Sequence, residues 1–68
     1  MKAYRYLTGV DDSAFCHRIT KALNEGWQLY GPPTLTFDPA QGRPICGQAI
    51  TKEVEGVDYS PELKLSEL

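Results

Sequence analysis

The sequence predicts a small α+β domain. It is a single β-α-β-β unit with a three-stranded mixed sheet in the order two, three, one, one helix on one face, and an extended C-terminal tail. Three observations carry this. Phe15, Ile19, Ala22 and Leu23 recur at i, i+4, i+7 and i+8, which puts them on one helical face. Short alternating stretches rich in aromatic and β-branched residues stand on either side of that helix. Between helix and strand lies Asn24-Glu25-Gly26-Trp27, where Gly26 can take the left-handed conformation that ends a helix.

Ala3-Tyr4-Arg5-Tyr6-Leu7-Thr8 reads as the first strand, with Tyr4, Tyr6 and Thr8 on one face and Arg5 and Leu7 on the other. Gly9 ends it. Asp11, Asp12 and Ser13 are three candidate N-caps, each with a side-chain oxygen for the free N–H groups of a helix start. The helix runs about three turns with one buried stripe and stops at Asn24 or Glu25. Trp27 carries too much apolar surface to stay in water in so small a protein, and should pack back under the helix.

Trp27-Gln28-Leu29-Tyr30 opens a second strand, which Gly31-Pro32-Pro33 interrupts before Thr34-Leu35-Thr36-Phe37 resumes it. Two prolines cannot donate to a ladder, so this strand is expected at an edge, with a bulge or bend. Asp38-Pro39-Ala40-Gln41-Gly42-Arg43 is turn chemistry, and Pro44 to Lys52 completes a hairpin as the third strand. Cys46, Gln48, Ile50 and Lys52 share one face of it. The helical crossover makes strands one and two parallel in direction, and the proline-poor third strand is the natural centre. Residues 1–53 thus form the βαββ domain, and residues 54–68 an acidic tail or short helix starting at Ser60-Pro61-Glu62.

One helix covers one face. The other carries apolar groups of several strands, so a second copy is its expected cover, with Tyr4, Tyr6, Cys46, Gln48 and Ile50 as interface residues. A chain of 68 residues buries only about 60% of its unfolded surface, which also favours self-association, as a homodimer or higher homo-oligomer. No apolar run reaches the roughly 20 residues of a bilayer span, so a soluble chain without membrane partners is expected. Two cysteines without a dense pattern or a leader segment suit a reduced, cytoplasmic protein.

The net charge of −2 hides an asymmetry. Residues 1–52 carry six cations against four anions, and residues 53–68 one against five. Six scattered cations argue against duplex nucleic acid, which needs many phosphate contacts. The first functional reading is a non-enzymatic structural or interaction module; the alternative is a binder of a small anionic, nucleotide-like ligand, with Arg5, Tyr6, Arg43 and Gln48 as the residues to hold it between subunits.

No motif specifies a reaction, so no enzyme is expected, and no cofactor. Cys16, His17 and Cys46 are the only Cys or His residues, and Cys16 and His17 are adjacent on a helix and point about 100° apart, a poor start for a zinc site or a Cys-His pair. Asp11 and Asp12 suit a helix start better than acid–base work. The Tyr4-Arg5-Tyr6 alternation is also a stacking pattern for single strands, but core or interface tyrosines explain it more simply.

The chain resembles the bacterial and viral family called domain of unknown function 1737 over roughly residues 3–53. The stretches that carry the resemblance are Tyr4-Arg5-Tyr6-Leu7-Thr8-Gly9, Asn24-Glu25-Gly26-Trp27, Gly31-Pro32-Pro33-Thr34-Leu35-Thr36 and Cys46-Gly47-Gln48-Ala49-Ile50. The resemblance implies a small α+β domain and no established activity. The chain is also distantly similar to small βαββ phage proteins that sequester nucleotide signals of bacterial immunity.

Overall fold

Asp12 is the helix cap. Its backbone is extended, and its carboxylate accepts from the Phe15 N–H at 3.2 Å, so Asp12, and neither Asp11 nor Ser13, is the cap of a helix that starts at Ser13. The computed structural model describes residues 1–68 as β1 (Lys2–Val10), α1 (Ser13–Asn24), β2 (Gln28–Asp38), β3 (Arg43–Glu53) and a 3-10 turn (Leu65–Glu67). Glu25 follows α1, and Gly26 reverses the chain at φ 98°, as its position predicts.

The sheet order is β1-β3-β2. β1 and β2 point the same way, as a helical crossover between them requires, but β3 separates them. Both ladders are therefore antiparallel and no parallel ladder forms, so the sheet is antiparallel where a mixed one was expected. Arg5 lies opposite Ile50, and Ile50 opposite Leu29. Between Tyr30 and Thr34 the register jumps: Tyr30 faces Ala49 and Thr34 faces Gly47, so Gly31, Pro32 and Pro33 oppose the single residue Gln48. Two extra residues preserve the alternation, and Leu29, Leu35 and Phe37 stay on one side.

That side is the helix side. Ala3, Leu7, Ala22, Trp27 and Ile50 form the buried core, with Met1, Phe15, Ile19 and Leu68 packed against it. Leu23, expected in the buried stripe, is 43% exposed. It sits about 80° around the helix from Phe15, on the flank opposite Arg18, Lys21 and Glu25. The helix lies along β1: Arg18 Nη1 donates to the Thr8 carbonyl at 2.8 Å, and Phe15 packs beside Gly9. A helix is about 10 Å across and strands are about 4.8 Å apart, so one helix lying along β1 cannot shield all three strands. Leu29 (53%), Leu35 (67%) and Phe37 (62%) are exposed accordingly.

The tail returns to the same side. Met1 and Val54 exchange backbone bonds of 2.8 and 2.7 Å, which continue the β1–β3 ladder by one pair. The chain then doubles back, Leu68 reaches the core, and Lys52 Nζ donates to the Leu68 carbonyl at 2.5 Å. Of the two readings of this segment, acidic tail or short helix, the helix from Ser60 does not form. Leu63 N–H closes one turn on the Ser60 carbonyl, and Lys64 is extended before the 3-10 turn. Neither helix nor tail covers the other face, where Tyr4, Tyr6 and Tyr30 are about half exposed or more. No helix is long and apolar enough to cross a membrane.

Candidate functional site

Within one chain, Arg5, Tyr6, Arg43 and Gln48 do not converge. Arg5 is on the helix side of β1, Tyr6 is on the opposite face, and Arg43 stands at the hairpin tip. Seven residues of β3 separate the Arg43 position from Ile50, the neighbour of Arg5, which is about 23 Å of strand. The expected interface set divides as well. Tyr4 and Tyr6 lie on the helix-free face, whereas Cys46, Gln48 and Ile50 point to the helix side, with Ile50 fully buried in the core. The period of two dictates this split, because Tyr6 pairs with Ala49 and not with either neighbour of Ala49.

Gln48 is 5% exposed and occupied within its own chain. Its Nε2 donates to the Gly31 carbonyl at 3.1 Å and to the Ala49 carbonyl at 2.9 Å. Gly31 is the first residue of the bulge, at φ 74°, and its carbonyl has lost its ladder partner. The Gln48 amide supplies that partner, so both donors of the side chain serve the fold.

On the helix-free face the Tyr6 ring crosses β3. Its hydroxyl shares a 2.7 Å hydrogen bond with Thr34 Oγ1 on β2, and Thr34 Oγ1 also donates to the Gly47 carbonyl at 3.4 Å. Gly47 lies underneath: a Cβ there would stand 2.8 Å from Tyr6 Cζ and 2.9 Å from Thr34 Oγ1. All three strands are tied at this point.

Back on the helix side, Arg5, Leu7, Arg18, Lys21, Ala22, Glu25 and Ser66 enclose a cleft of about 240 Å³. Leu7 and Ala22 are its buried floor. The Arg5 guanidinium stacks 5.4 Å from the Trp27 ring centre, and Lys52 Nζ lies 5.8 Å from the same ring. Sequence reasoning named Arg5 but missed Arg18 and Lys21 as its partners. Their spacing of three residues on one flank was the available signal, and their meeting with Arg5 depends on how the crossover seats α1. A second, wholly polar cleft is lined by Lys2, Gly26, Gln28, Thr51, Lys52 and Glu53.

Both cysteines are free; Cys16 is exposed and Cys46 half-buried. Burial, and after it the Asp11 carboxylate, pushes the Cys46 thiol above its ordinary range, and its Sγ lies 3.5 Å from the Gly9 carbonyl. A thiol held protonated is a poor nucleophile. His17 is exposed, and no group of three or more His, Cys, Asp or Glu residues is placed to hold a metal ion.

No curated protein and no solved structure matches the chain. The family model described as a domain of unknown function, number 1737, matches residues 1–53, which end where β3 ends and leave the returning tail outside. With the helix, the bulged edge strand and the central strand all inside that match, the chain belongs to the domain of unknown function 1737 family.

Proposed function

We propose that the chain is a non-catalytic structural or interaction module that self-associates, with a second copy seated along β2. The supporting observation is the aliphatic and aromatic row Leu29, Leu35 and Phe37, each more than half exposed beside a core of only five buried apolar residues. Full burial of such side chains contributes about 1.5–3 kcal/mol each, a large share of what a domain this small has in total. The size of the surface agrees. A compact chain of 7.6 kDa presents about 4,300 Å² to solvent, whereas this one presents 4994 Å². The excess is close to the roughly 800 Å² that each partner contributes to a standard interface. The radius of gyration, 13.6 Å, likewise exceeds the roughly 11 Å of a compact domain of this length.

Tyr30 on the opposite side of β2, with Tyr4 and Tyr6 beyond it, extends the same contact around the strand edge onto the helix-free face. Tyrosines of this kind suit interfaces, since the ring is buried while the hydroxyl keeps a polar partner.

Sedimentation analysis across the micromolar range tests the proposal. The expected result is a mass at least twice that of the chain, lowered to the monomer by Leu35→Glu. A monomer throughout that range refutes it. Assembly that survives Leu35→Glu but not Tyr4→Glu moves the contact to the helix-free face.

A further inference from the structure

We infer that the cleft between α1 and the C-terminal 3-10 turn is a binding site for a phosphate group carried by a small molecule. The inference is independent of self-association, because every lining residue belongs to one chain. Three cations, Arg5, Arg18 and Lys21, meet there against one carboxylate, Glu25, in a protein whose net charge is −2. Like charges repel, and more strongly beside an apolar floor such as Leu7 and Ala22 than in open water. Their convergence is therefore a feature that an anion relieves.

The way the cations are held strengthens the case. Arg18 is oriented by the Thr8 carbonyl at 2.8 Å, and Arg5 by the face of Trp27 at 5.4 Å. Both partners are neutral. They fix the direction of each guanidinium and leave its charge uncancelled, which is the preorganisation that anion recognition requires. Guanidinium groups match the paired oxygens of a phosphate, and a lysine adds a mobile point charge. Ser66 supplies a hydroxyl on the far wall, so the tail, which lies outside the family match, completes the site. About 240 Å³ leaves room beyond a bare phosphate for the group that carries it.

Titration of the full chain with orthophosphate and, separately, adenosine 5′-monophosphate at low ionic strength tests the site, read by calorimetry and backbone amide NMR. Binding that shifts the amides of Arg18, Lys21 and Ser66 is expected. The Lys21 side chain makes no hydrogen bond in the fold, so Lys21→Glu should weaken binding by about tenfold or more, the worth of one charge-assisted hydrogen bond. Lys2→Glu, in the separate polar cleft, changes charge equally and should leave affinity intact. Lys21→Gln keeps the side-chain length and repeats the test should the charge reversal disturb the helix. Tighter binding of the nucleotide than of orthophosphate supports a phosphate carried by a small molecule, and equal binding of the two overturns that. Binding of neither, binding insensitive to both Lys21 variants, or an equal loss in Lys2→Glu overturns the inference.

Discussion

The Gln48 side-chain amide donates to the Gly31 carbonyl at 3.1 Å, joining the centre of β3 to the bulge of β2. The side chain of a polar residue buried in the central strand thereby gives a donor to a carbonyl that the bulge has moved out of ladder register. The bulge and the glutamine explain each other: without the amide the Gly31 carbonyl has no partner in the chain, and without the bulge the amide has no acceptor across the strand.

Gln48→Leu is accordingly expected to destabilise the domain by about 0.5–1.5 kcal/mol, the net worth of an ordinary hydrogen bond, because the Gly31 carbonyl it frees belongs to an exposed residue. Chemical denaturation measures it. Hydrogen exchange should locate the loss in β2 around Tyr30 and Thr34 and leave β1 protected. A uniform loss across the sheet would contradict the local role.

Gly47→Ala should destabilise because its methyl group meets the Tyr6 ring and Thr34 Oγ1 at under 3 Å. The expected cost is about 1–3 kcal/mol, as for other overpacked sites. In a double-mutant cycle with Tyr6→Ala the penalty of Gly47→Ala should largely disappear. Additive losses would mean that Tyr6 is not the obstacle.

Trp27→Ala removes the largest member of the core and the ring on which Arg5 and Lys52 rest. A loss of about 3–5 kcal/mol is expected, enough to leave a domain of this size largely unfolded. Circular dichroism would report it, and retention of a cooperative transition at an unchanged midpoint would show that the core is elsewhere. Phe15→Ala should cost less, because Phe15 is only half-buried.

Thiol labelling at neutral pH should modify Cys46 slowly, since burial and the Asp11 carboxylate keep its proton on. The stability consequence has a definite sign. The folded thiol retains its proton where the unfolded one, with its ordinary value of 9.0, releases it. Its contribution is therefore complete below about pH 9 and declines as pH rises from there through the raised value. Cys46→Ser should flatten that alkaline decline in a denaturation series.

Periodicity and punctuation alone determined the elements of this protein. The Phe15, Ile19, Ala22 spacing, the cap candidates Asp11, Asp12 and Ser13, the Gly26 reversal and the two prolines of β2 are local features whose conformational preferences act within a few residues, and the helix, the interrupted edge strand and the hairpin follow from them. Tertiary structure decided which side chains meet. That α1 sits along β1, so that Leu23 and the Leu29, Leu35, Phe37 row stay open while Arg18 and Lys21 line one cleft with Arg5, depends on where a helix settles on a sheet wider than it can shield. The fate of Gln48 was undecidable from its own neighbourhood for the same reason. A buried amide is placed by its acceptor, and the Gly31 carbonyl lies 17 residues away in sequence, brought near only when the hairpin closes.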